Sequence, residues 1–231
     1  MAKKLAAEFL GTAMLLFVVV ATGIMVSTIA GDEITETVTS VGAALQLFIV
    51  GVSVAVGLAV IIILFVTISG SHFNPIVTMT AMMDRSMDIG TGLAYIVAQF
   101  LGAAFGVIVG NLIFGLDPVT ISDTVRTGPV LRFSEMVATF LLLIVILGLV
   151  RTGRASAVPW AVGGIVLVIV LATSSTGFAN PALTAARTLT DTYTGIDPSS
   201  VMPFITAQIA GGLLAFGVAA WLFPIEMSES T

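Results

Sequence analysis

The sequence predicts an all-α membrane protein: six transmembrane helices plus two re-entrant half-helices, arranged as an inverted repeat. Three observations carry this. Of 231 residues, 58% are hydrophobic and only 9% are charged, where a soluble domain carries roughly a quarter charged residues. So few polar groups leave too little surface to cover a globule in water. Six stretches are apolar for about the 20 residues that a helix needs to cross a bilayer. Finally, three short sequence landmarks recur in the same order in the two halves of the chain.

The six spans fall at about 5–29, 41–68, 91–115, 133–150, 157–175 and 201–223, each set by its apolar run. The first follows Lys3 and Lys4. It is too long for a signal-peptide core and lacks a small-residue cleavage site, so it reads as a retained span. Polar or turn-forming segments separate the runs: Gly31-Asp32-Glu33, Leu116 to Pro129, Arg151 to Arg154, and Asp191 to Ser200. Residues 69–85 and 176–190 fit neither class. They are moderately apolar, contain Asn-Pro and are too short to cross, so each is expected to dip in as a loop and return as a half-helix. Irregular backbone at that depth is tolerated only where protein or water satisfies it.

The landmarks establish the repeat. Ala7-Glu8-Phe9-Leu10-Gly11-Thr12 opens the first span, and Ser134-Glu135-Met136-Val137-Ala138-Thr139 opens the fourth. His72-Phe73-Asn74-Pro75-Ile76 is echoed by Phe178-Ala179-Asn180-Pro181-Ala182, and Ala98-Gln99-Phe100-Leu101-Gly102 by Ala207-Gln208-Ile209-Ala210-Gly211. One transmembrane domain, 1–231, is expected, with halves at about 1–116 and 130–225. Three spans per half is an odd number, so the second half lies inverted and its functional groups converge at the midplane. With both termini on one side, that side receives Lys3, Lys4, Arg85, Arg151 and Arg154, against Arg126, Arg132 and Arg187 opposite. The positive-inside rule then places the termini in the cytoplasm.

Several classes are excluded. A net charge of −5 disfavours nucleic acid, whose phosphates need a basic surface. No cysteine is present and His72 is the one histidine, so no thiolate or histidine-cluster metal site is expected, nor a disulfide framework. No nucleophile–base set or other cofactor signature marks an enzyme.

Asn is a strong helix N-cap, and Pro suits the first helical position because its missing N–H costs nothing there. Asn74-Pro75 and Asn180-Pro181 therefore each start a half-helix, whose N-terminus carries roughly half a positive charge. If the inverted halves bring these starts together, a cation meets an electrostatic barrier, while a neutral hydroxylic solute meets two amide donors.

With these motifs the chain resembles the aquaporin, or major intrinsic protein, family over essentially its whole length. The first motif departs from the usual Asn-Pro-Ala, with Ile76 in the third place. The resemblance implies one pore per protomer, a homotetramer in the plasma or inner membrane, no cofactor, and passage of water or small uncharged solutes. It also implies that Glu8 and Glu135 accept hydrogen bonds from the re-entrant loops. His72 then either holds a loop or gates with pH. The filter positions of such relatives map, by counting from the Asn residues, onto Val54, Val168, Gly177 and Leu183. Aligning on Val-Gly-Leu selects Val56 instead of Val54. The family's filter arginine, three residues after the second Asn, is replaced by Leu183, so an apolar outer filter is expected. Arg187, one helical turn further out, either reaches back to restore the charge or sits at the mouth, snorkelling or ion-paired. The alternatives to a water channel are a glycerol, ammonia or gas facilitator, and a poorly conducting structural or adhesion protein.

Overall fold

The structure is a computed structural model and describes residues 1–30 and 36–224. Within them the chain forms eight α-helices and no strand: α1 (Ala2–Ala30), α2 (Glu36–Ser69), α3 (Pro75–Met83), α4 (Ile89–Leu112), α5 (Pro129–Arg151), α6 (Val158–Ala172), α7 (Pro181–Ala186) and α8 (Pro198–Leu222). Short 3-10 turns at Ala155–Ala157 and Arg187–Leu189 precede α6 and extend α7. Six helices (α1, α2, α4, α5, α8, and α6 with its leading turn) are long and apolar enough to cross a membrane. They fall on the six expected spans, and α3 and α7 fall inside the two expected re-entrant segments. The expected Gly31-Asp32-Glu33 link lies outside the described residues.

The largest departures are the early starts of α2 at Glu36 and α5 at Pro129, against the expected 41 and 133, while α6 stops at Ala172 rather than continuing to 175. There Thr173 turns its hydroxyl back to the Ile169 carbonyl at 2.7 Å. Ser174, Ser175 and Thr176 follow, residues whose side chains compete with the helical backbone for hydrogen bonds.

The repeat is visible in the packing. A Cβ added at Gly102 in α4 would collide with the Phe9 carbonyl of α1, and one at Gly211 in α8 would collide with the Met136 carbonyl of α5. Phe9 and Met136 each follow one of the paired glutamates, so both halves lock their outer helix onto their inner one by the same glycine-to-backbone contact. Small residues of this kind let transmembrane helices approach backbone to backbone. At one mouth, Arg151 at the end of α5 pairs with Asp84, which follows α3, at 2.6 Å. Arg151 also donates to the Phe223 carbonyl beyond α8 at 3.4 Å, gathering three helix ends. At the other mouth the α4–α5 link is tied to the segment after α7, with Thr120 N–H donating to the Leu189 carbonyl (3.1 Å) and Ser122 N–H to that of Thr188 (3.0 Å).

Candidate functional site

Both half-helices begin as their residue types dictate. Asn74 and Asn180 are extended N-caps followed by Pro at the first helical position. The Asn74 Oδ1 accepts from Ile76 N–H at 2.9 Å, and the Asn180 Oδ1 from Ala182 and Leu183 N–H at 3.0 and 3.2 Å. The two starts are cross-linked at the centre. The Asn74 Nδ2 donates to the Ala179 carbonyl at 2.8 Å, and the Asn180 Nδ2 donates to the Phe73 carbonyl at the same distance. Each amide nitrogen keeps a second N–H, and both asparagines line the central cavity. Their positions are thereby fixed by the opposite half as well as by their own.

The loops leading in are strained in matching places. Ser71 and Phe73 have φ of 55° and 49°, and Gly177 and Ala179 have φ of 54° and 48°. Left-handed backbone at a non-glycine residue costs of order 1–3 kcal/mol, so something must hold it. Glu8, fully buried in α1, does so in the first half. Its carboxylate accepts from Ser69 Oγ (2.6 Å), His72 N–H (3.0 Å), Phe73 N–H (2.8 Å) and Gln99 Nε2 (2.8 Å). Glu135, equally buried in α5, accepts from Phe178 N–H (2.8 Å), Ala179 N–H (3.0 Å) and Gln208 Nε2 (2.7 Å). A buried carboxylate is tolerable only when its oxygens are satisfied in this way.

A cavity of about 550 Å³ runs past both asparagines, from Asp84, Ser86 and Val150 at one mouth to Arg126, Arg187 and Tyr193 at the other. The loop residues Gly70 to Phe73 and Thr176 to Ala179 supply one wall. Aliphatic residues such as Leu58, Ile62, Leu142, Ile146 and Val162 supply the other.

Of the four filter candidates, Val54, Gly177 and Leu183 line this cavity. Val56, the alternative to Val54, is 55% exposed on the outer surface. Val168 must be corrected: it is 51% exposed on the outside of α6 and does not line the cavity. Its neighbour Ile169, 1% exposed, does, and it packs so tightly on Gly177 that a Cβ there would collide with it. Counting back from Asn180 failed because seven non-helical residues, Thr173 to Ala179, intervene between α6 and Asn180. In the first half only Gly70 to Phe73 separate Ser69 from Asn74. Successive helical residues are rotated by about 100°, so an error of one residue turns a wall residue toward lipid.

His72 lines the cavity, with Nδ1 3.1 Å from Thr78 Oγ1 and its ring 5.5 Å from that of Tyr95. Pro75 and Pro181 are buried at the helix starts. Arg187 neither snorkels nor ion-pairs among the described residues. It is 6% exposed, lines the cavity, and stacks on Phe178 with its guanidinium carbon 3.5 Å from the ring centre. Phe178 escaped the sequence reading, although the repeat register sets it opposite His72. Arg126 carried no local signal; only the folded α4–α5 link brings it to the mouth. Ile76 finds its room on α8, where Gly212 has no Cβ to strike its Cγ2.

Comparison with known proteins agrees with this geometry. The Major intrinsic protein family model matches residues 1–173. The chain is 36% identical over 222 residues to Aquaglyceroporin AqpS of Rhizobium meliloti, covering 95% of this chain and 90% of that protein. It is 29% identical to Probable aquaporin AqpM of Archaeoglobus fulgidus, covering 96% of each. The X-ray structure of the aquaglyceroporin from Plasmodium falciparum has the same fold, with a TM-score of 0.66 at 20% identity over 97% of this chain and 96% of that one. With six apolar helices, two Asn-capped half-helices and the family match together, the chain belongs to the major intrinsic protein family of passive membrane channels, not enzymes.

Proposed function

We propose that this chain conducts water and small uncharged solutes while rejecting ions, and that its outer filter favours glycerol-like molecules over water alone. The observation that carries the reading is a cavity lined by two amide donors, each fixed by a hydrogen bond to the opposite half; an aliphatic ring toward one mouth is proposed as its outer filter. The donors and the two half-helix N-termini present positive potential to anything that passes, which opposes cations and leaves neutral hydroxylic solutes unhindered. The ring comprises Val54, Ile169, Gly177 and Leu183, with no charged side chain among them. A single file of water loses hydrogen-bond partners at such a neck, whereas the carbon backbone of a polyol gains contact there. Similarity to a protein named an aquaglyceroporin supports the same preference. Glu8 and Glu135 are assigned to holding the loops, and His72 to loop support through Thr78.

The chain is further proposed to act as a homotetramer in the plasma or inner membrane, with both termini in the cytoplasm. The test is stopped-flow light scattering of reconstituted vesicles under osmotic and glycerol gradients. Glycerol permeability well above that of empty vesicles is expected. Permeability equal to empty vesicles for every neutral solute would favour a structural or adhesion role.

A further inference from the structure

The mouth lined by Arg126, Arg187 and Tyr193 holds two cations that pair with no carboxylate among the described residues. The Arg187 Nε donates to the Thr194 carbonyl. Arg126, half-buried at the same mouth, places its guanidinium carbon 5.4 Å from the centre of the Phe178 ring on which Arg187 stacks. Its Nε donates to the Gly195 carbonyl at 2.9 Å and its Nη2 to the Tyr193 carbonyl at 3.4 Å. One loop and one ring thus fix both groups. Among the described residues neither arginine forms an ion pair, and the guanidinium bonds found there are those of the Arg187 Nε and the Arg126 Nε and Nη2. Both oxygens of Glu135 are already taken by the Phe178 and Ala179 N–H groups and Gln208.

The remaining nitrogens of this pair are open to the cavity that both arginines line, and the planar fork of a guanidinium matches a carboxylate. One helical turn deeper the lining becomes aliphatic at Leu183, with Val54 and Ile169 in the same cavity. A cationic rim above an apolar throat suits an anion with a charged head and a short hydrocarbon tail.

We propose that this rim binds a short-chain monocarboxylate anion, its carboxylate held by Arg187 and Arg126 and its alkyl end directed toward Leu183. The bound anion occupies the mouth and competes with neutral solutes entering from that side. Binding itself does not depend on the conduction reading.

The experiment follows the melting temperature of the purified full-length chain, through Trp160 and Trp221, in sodium acetate, sodium propionate and sodium chloride at equal ionic strength. The carboxylates are expected to raise it above chloride, with an apparent Kd about fourfold tighter for propionate than for acetate, as one buried methylene supplies. R187Q is expected to lose this specific rise. R126Q, at the more exposed position, weakens it without disturbing the helices and serves if R187Q does not fold. Equal shifts in all three salts, or a propionate-specific rise retained in R126Q and in folded R187Q, would overturn the proposal. In proteoliposomes, external propionate should slow glycerol entry. If no glycerol enters at all while the propionate-specific shift stands, the conduction reading falls and the site remains.

Discussion

Ile76 and Gly212 give the most exacting test of how the half-helices are seated. Ile76 is 2% exposed, and a methyl group at Gly212 would overlap its Cγ2. Gly212→Ala therefore forces the first half-helix to shift, at an expected cost of about 1–3 kcal/mol for overpacking. Ile76→Ala deletes three buried carbons and leaves a cavity, at about 2–4 kcal/mol. In the repeat register the matching places, on α7 and α4, carry Ala182 and Ala103, both fully buried. The double substitution gives the α3–α8 contact the residue pair that its α7–α4 counterpart already has. It should therefore cost less than the two single changes summed, by at least 1 kcal/mol, a coupling of the size seen for residues in contact. The assay is a double-mutant cycle on unfolding in mixed micelles, with glycerol flux read in parallel vesicles. Additivity within about 0.5 kcal/mol would refute the claim that Ile76 is accommodated by the missing Cβ.

The remaining predictions concern the filter, a loop anchor and a helix cap. Leu183→Arg restores a fixed charge to the ring and should lower glycerol flux relative to water with proton exclusion retained; an unchanged ratio in stopped-flow would remove position 183 from the constriction. Ile169→Ala should change solute selectivity whereas Val168→Ala, facing outward, should not, and the reverse pattern would restore the counted register. Glu135→Ala strands the N–H groups of Phe178 and Ala179, each at about 1–3 kcal/mol, so it should lower stability more than a lipid-facing substitution and abolish flux. Asp197 caps α8 through Ser199, whose side-chain and backbone hydrogen bonds hold its carboxyl below the usual carboxylate range. A depressed native value means that the cap contributes fully above the ordinary pKa of about 3.9 and is lost as pH falls through the native one. Asp197→Asn should therefore flatten the acid limb of thermal stability and leave the neutral region unchanged; an acid limb identical to wild type would contradict this.

The helices were legible because a bilayer demands long apolar runs, and nothing else in the chain competes with that signal. The half-helices were legible because Asn-Pro both caps and starts a helix, and its repetition fixed where the two should meet. Val54, Gly177 and Leu183 were reached by counting through segments whose lengths happen to match. Ile169 was missed because Thr173 and the serines after it end α6 early, and no count from Asn180 registers that. The Arg126–Phe178–Arg187 cluster was invisible for a different reason. Residues 126 and 187 are joined only through the link that pairs with the segment after α7, a tertiary event with no local spacing.

The crossed amide bonds at the pore centre also constrain how the protein is made. The Asn74 amide is completed by the carbonyl of Ala179, and that of Asn180 by the carbonyl of Phe73. While the ribosome has delivered only the first three spans, the leading half-helix has its cap and its glutamate but no opposite number. Its left-handed loop then stands half-anchored until Ala179, 105 residues beyond Asn74, has been inserted. The aperture is therefore a product of the last stage of biogenesis: neither half is a smaller channel awaiting enlargement, and a ribosome-stalled first half should leave the membrane sealed.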